Sequence, residues 1–179
     1  PGMELFKAIG KPKGEIIAED LGEFGEDVVA LLEETGFPGM RVIQFGLDPD
    51  EDSTHSPHNY EKNTVAYVGT HDNNTLLGWL WDATPRVREY ALSYCGASLY
   101  GWEQGGREAP ACHKIIETVW RSASETAVIA FQDMCGFGAD TRTNTSGVEK
   151  GNWVFRATKQ AMNEMDSGYF RWLNTTFKR

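Results

Sequence analysis

The sequence predicts an α/β fold built on a parallel sheet. Two observations carry that expectation. Four short runs are apolar along most of their length instead of alternating with polar residues, which suits strands covered on both faces. The segments between them carry helical spacing or loop composition. A third observation bears on function: three of the four runs end in polar or charged residues at their carboxyl side.

The elements follow in order. Residues 15–19 (Glu-Ile-Ile-Ala-Glu) are a short strand candidate. Residues 25–35 place Val28, Val29, Leu31 and Leu32 on one helical face; Gly36 closes that helix and Pro38 cannot continue it. Residues 40–45 are the second strand, and a polar loop, 46–63, follows. Residues 64–69 are the third strand. Two helices are expected at 74–82 and 85–95, the second opening on Pro85. A Gly-rich linker, 101–106, leads to Pro110 and a helix reaching about residue 124, with Ile115, Ile116, Val119 and Trp120 on its apolar face. Trp79, Trp81 and Trp120 fall in helical patterns and are expected in the core. Residues 126–131 are the fourth strand, 136–152 are irregular, and 157–177 are helical with a weak point at Ser167-Gly168.

Two architectures satisfy four parallel strands separated by helices: a small open doubly wound sheet, or half of a (β/α)₈ barrel. A whole barrel runs to about 250 residues, against 179 here. The opening Pro1-Gly2-Met3-Glu4 has no initiator Met and resembles neither a signal nor a transit peptide, which favours the half-barrel. One domain covers the length.

The bulk numbers exclude more than they assign. Seventeen Lys and Arg stand against 26 Asp and Glu, a formal charge of −9. That argues against nucleic acid and anionic membrane partners, both of which need a basic face. No stretch approaches the roughly 18 apolar residues of a membrane span. Cys95, Cys112 and Cys135 are odd in number and widely spaced, which fits reduced thiols in a cytosolic protein.

In either architecture ligands bind at the carboxyl ends of the strands. The first strand delivers Glu19-Asp20 there, the third Thr70-His71-Asp72-Asn73-Asn74 and the fourth Gln132-Asp133. Neighbours in an extended chain point to opposite sides, so only one of Glu19 and Asp20 faces the site, and Asp133 shares that ambiguity with Gln132. Each carboxylate has a competing role as a cap of the loop or helix that follows, and His71 as a buried, hydrogen-bonded side chain. Paired carboxylates without metal spacing suit glycosidic bond chemistry: one stays protonated to give its proton to the leaving oxygen, another stays ionised against the charge on the sugar ring. The abundance of Trp and Tyr fits a sugar site. No metal site is expected. His55-Ser-Pro-His58 is interrupted by Pro, the acidic run 48–52 lacks the Gly and distal Glu of a calcium loop, and there is no phosphate-binding Gly fingerprint or nucleophile elbow.

Several motifs together resemble the 4-α-glucanotransferase (amylomaltase, or disproportionating enzyme) family. They are Ile16-Ile17-Ala18-Glu19-Asp20-Leu21-Gly22, Pro38-Gly39-Met40 with Gln44-Phe45, Pro57-His58-Asn59-Tyr60, Gly69-Thr70-His71-Asp72-Asn73, Gln132-Asp133, and Arg142-Thr143-Asn144 with Gly151-Asn152-Trp153. The resemblance implies strands five to eight of a (β/α)₈ barrel. It implies Glu19 as general acid/base and Asp72 as the carboxylate that holds substrate hydroxyls and stabilises the transition state. His71 would bind sugar in the same subsite, with Asn144 and Trp153 in a loop near the acceptor. The reaction would be retaining transfer of α-1,4-glucan segments among maltooligosaccharides and glucose, without a cofactor. The chain departs from the family at Ser146, often Pro there, and in its acidic 46–56 loop. The family's nucleophilic Asp belongs to strand four, before the first motif, and no residue here takes that role. Open barrel edges would allow self-association.

Overall fold

A computed structural model describes residues 2–10, 16–22 and 25–179. The expected parallel sheet is present. Strands β1 (Gly39–Val42), β2 (Thr64–Tyr67) and β3 (Thr126–Val128) pair in that order, all parallel, with Gly39 opposite Thr64 and Val65 opposite Thr126. The first expected strand contributes one parallel bridge, Ala18 to Gly39, fastened by the Ala18 N–H donating to the Pro38 carbonyl at 2.9 Å. Its first residue, Glu15, lies outside the described residues.

The strands are shorter than the apolar runs. β1 stops at Val42, and helical turn α3 (Ile43–Gly46) takes over. At the end of that turn Gly46 packs against the following loop, where a Cβ would sit 1.9 Å from the His55 carbonyl oxygen. The backbone can press this closely only without a side chain. β3 likewise gives way to helical turn α7 (Phe131–Met134).

Helices α1 (Gly2–Ile9) and α2 (Glu26–Thr35) precede the sheet. Sequence patterning gave no helix at 2–9. Gly36, at φ 65°, closes α2 as expected. The α2 apolar face is not buried: Val28 and Val29 are exposed and no residue of the helix is fully covered. α4 (Leu76–Asp82) is capped by Thr75 and α5 (Pro85–Tyr94) by Thr84 with Pro85 behind it. α6 (Pro110–Trp120) ends four residues before the expected limit. The chain breaks again at Met165-Asp166, between α8 (Lys159–Glu164) and α9 (Ser167–Phe177). Asp166 caps the Tyr169 N–H, so Ser167 and Gly168 open a helix instead of interrupting one.

The core lies between the sheet and helices α4, α5, α6 and α9. Ile43, Leu47, Val68, Leu76, Leu80, Leu92, Ile115, Ile116 and Leu173 are fully enclosed. Each contributes about 1.5–3 kcal/mol by leaving water. β2 is covered on both faces, whereas Thr126 and Val128 of β3 are exposed. Trp79 and Trp120 pack partly buried against this core, but Trp81 is 59% exposed and meets Trp102 in a tilted contact, centroids 4.9 Å apart. The 101–106 stretch is no free linker: the Gly106 N–H bonds the Gly136 carbonyl at 3.0 Å.

Candidate active site

The parallel strands aim their carboxyl ends at a cleft of about 310 Å³. Glu19, Tyr67, Thr70, His71, Asp72 and Thr143 are among the residues lining it. The strand-end carboxylates divide between the cleft and the scaffold. Glu19 faces the cleft. Its neighbour Asp20 turns the other way, accepting from the Met40 N–H and pairing with the Arg41 guanidinium at 2.9 Å. That pair is largely buried and ties the first strand to β1.

Asp72 projects from the turn after β2. The turn is closed by Asn73, whose Oδ1 accepts from the Thr70 N–H and hydroxyl at 2.8 and 2.9 Å. Asp72 is engaged at both carboxylate oxygens: Asn144 Nδ2 donates to Oδ1, and His71 Nε2 lies 3.3 Å from Oδ2. His71 and Asp72 are each about half exposed, so their pairing adds no more than roughly 1 kcal/mol in water. Its effect is orientation. His71 is not the buried histidine that the sequence left open.

The loop beyond α7 closes this side. Gln132 Nε2 donates to the Thr141 carbonyl and the Thr143 hydroxyl, at 3.1 and 3.0 Å. Asn152 bridges Thr145 in both directions, at 2.8 and 3.1 Å. Trp153 takes a left-handed backbone at φ 63°, which costs a non-glycine residue roughly 1–2 kcal/mol. The Trp153 N–H bond to the Thr143 carbonyl, 2.7 Å, offsets that cost. The indole then lies 5.1 Å from the His71 ring and stays 58% exposed.

Asp133 does not share this open setting. It is 3% exposed, and its Oδ1 accepts from the Leu76 N–H at 2.6 Å, anchoring the start of α4. Burial pushes its carboxyl up to about 7, and the Leu76 bond opposes that only in part. The two loop histidines are also structural. His55 Nδ1 accepts from the Val42 N–H, and burial, then Arg41, depresses its basicity. His58 spans the Tyr94 hydroxyl and Asp52. Sequence reasoning included Arg142 and Thr143 in a motif with Asn144 but gave neither a role; Thr143 lines the cleft and Arg142 lies beside it.

A parallel α/β sheet with carboxylates gathered at its carboxyl edge is the layout of an enzyme whose site is built on strand ends. Comparison with known proteins narrows this. The family model described as 4-alpha-glucanotransferase (glycosyl hydrolase family 77) matches residues 1–162, and the chain belongs to that family. It is 41% identical over 162 residues to the chloroplastic/amyloplastic 4-alpha-glucanotransferase of Arabidopsis thaliana, covering 87% of this chain and 26% of that one. It is 36% identical over 178 residues to the Clostridium butyricum enzyme, covering 96% and 34%. Among solved structures, the amylomaltase from Streptococcus agalactiae in complex with acarbose superposes with a TM-score of 0.88 at 34% identity, over 100% of this chain and 35% of that one. The chain thus spans about a quarter to a third of the length of these relatives.

Proposed function

We propose that residues 1–179 form strands five to eight of a (β/α)₈ catalytic barrel, as one partial domain, and supply part of a retaining 4-α-glucanotransferase site. The sequential strand order, with no reversal from Ala18 through β3, supports a barrel over a doubly wound sheet, whose order reverses at a switch point. The observation that carries the functional reading is the shared cleft. Glu19 and the His71-Asp72 pair reach it from separate strands, while Asp20 and Asp133 are committed to the scaffold.

Glu19 is the general acid/base. It protonates the leaving glycosidic oxygen, then takes the proton of the incoming sugar hydroxyl. Asp72, oriented between Asn144 and His71, accepts hydrogen bonds from sugar hydroxyls that strengthen as the ring becomes oxocarbenium-like. His71 contributes to the same subsite, and the exposed Trp153 indole offers a flat apolar face to the acceptor sugar. The covalent nucleophile is assigned to no residue of this chain, so the isolated chain is expected to be inactive. The substrates are α-1,4-glucans, maltooligosaccharides and glucose. Among the described residues no helix is long and apolar enough to cross a membrane. Three free buried thiols support a reducing compartment such as the cytoplasm.

The test is maltotriose conversion by a longer polypeptide that carries this chain. Glucose and longer glucans should form, and Glu19→Gln should slow their formation by about a hundred- to ten-thousandfold. Unchanged transfer in that variant refutes the assignment. A second reading, a non-catalytic half-barrel that binds glucans or associates with itself, is favoured by the exposed β3 edge. It predicts no conversion by any polypeptide containing the chain.

A further inference from the structure

We propose that Arg142 is the positioning residue for Asp72, acting through Asn144; this rests on the reading of Asp72 as the carboxylate that holds sugar hydroxyls. The Arg142 guanidinium joins its own loop to a residue 70 positions earlier in the sequence. One terminal nitrogen, Nη2, donates to the backbone carbonyl of Asp72 at 2.5 Å. Nε donates to the backbone carbonyl of Asn144 at 2.7 Å. Asn144 Nδ2 in turn donates to Asp72 Oδ1. These bonds close a ring in which Arg142 holds the main chains of both residues while Asn144 holds the carboxylate.

Three features favour positioning over a plain surface contact. Among the described residues Arg142 makes no ion pair, so its donors serve backbone acceptors and not a competing carboxylate. Its own backbone is fixed at the end of a short 3₁₀ turn, Ala139–Thr141, where the Arg142 N–H bonds the Ala139 carbonyl at 3.1 Å. The opposite carboxylate oxygen, Asp72 Oδ2, is met by His71 from the other side. Asp72 therefore has a single held orientation only while Asn144 stays in place. Beyond Asn144 the chain runs into an exposed stretch, 146–151. The rigid planar fork of arginine suits two acceptors at fixed spacing, whereas lysine offers a point charge on a flexible stem.

The first arm of the test uses the 179-residue chain itself and needs no activity. NMR should show slow solvent exchange of the Asn144 side-chain amide protons. Arg142→Met should speed that exchange about tenfold or more, and Arg142→Lys, the variant to use if Met compromises folding, should restore it only in part. Exchange unchanged in both variants overturns the proposal. The second arm uses a longer polypeptide that carries the chain and transfers glucan. Arg142→Met and Asn144→Ala should each lower kcat by about 10- to 100-fold with a smaller effect on KM, and the double variant should be no slower than the slower single one. Multiplicative losses overturn the proposal. Asp72→Asn separates the two levels. If it leaves transfer intact, the reading of the site fails; if it abolishes transfer while the cycle is multiplicative, only the role of Arg142 fails.

Discussion

At the scale of single residues, the division of labour among carboxylates follows from what each one touches. Asp20 is held by a guanidinium and a backbone N–H, Asp72 by a carboxamide and an imidazole, and Asp133 by one backbone N–H in a buried position. Only Asp133 is enclosed without a cation beside it, and its carboxyl rises to about 7 because burial disfavours the charge. An unfolded Asp titrates near 4. Between about pH 4 and pH 7 the folded chain therefore holds more protons than the unfolded one, so this group's contribution to stability falls as pH rises through that window and levels off above it. Asp133→Asn keeps an acceptor for Leu76 and removes the titration. Urea unfolding should show the variant gaining on the parent chain by an amount on the order of a few kcal/mol between pH 4 and pH 8. A constant difference across that range would contradict the account. This distinction was not legible in the sequence. Glu19, Asp20, Asp72 and Asp133 all read as strand-end carboxylates, because the neighbours that separate them, Arg41, Asn144 and Leu76, come from distant segments.

At the scale of elements, apolar runs mark where strands lie better than where they stop. The runs at 40–45 and 126–131 continue past β1 and β3 because Ile43 and Phe131 are apolar for a different reason: they belong to helical turns packed under the strand ends. Hydrophobicity is blind to that change. Gly46 lies against the His55 carbonyl, and this approach seats the 55–60 loop that carries His58 and Tyr60. Gly46→Ala should destabilise the chain by about 1–3 kcal/mol, since the contacting atom is backbone and cannot swing away. The urea midpoint should drop; an unchanged midpoint would mean that the loop yields freely. The helices at 85–94 and 110–120 were legible through Pro at their first position, and the end of α2 through Gly36. α1 was not, because eight residues with one short apolar face, Gly2–Ile9, carry too little pattern to separate from a loop.

At the scale of the whole molecule, the sheet is open at both sides among the described residues. Among the described residues β3 pairs only with β2, and the segment at Ala18 makes a single bridge to β1. Val128 of β3, paired with the half-buried Tyr67, is 41% exposed, whereas Val65 and Ala66 earlier in β2 are buried. An uncovered parallel edge offers unpaired N–H and carbonyl groups to any strand of suitable length. In the isolated 179-residue chain, the strand available at high concentration is another copy of itself. Sedimentation velocity should therefore show mass rising with concentration. Val128→Lys places a charge on the edge strand, at a side chain that also lines the cleft, and removes apolar contact worth about 1.5 kcal/mol, enough to weaken association about tenfold. In a longer polypeptide that completes the barrel, the same edge would be paired, and Val128→Lys would lower stability without changing the sedimenting mass. Mass that is concentration-independent in the isolated chain would show that the edge is too short or too twisted to recruit a partner, and would leave the half-barrel reading to rest on strand order and the shared cleft.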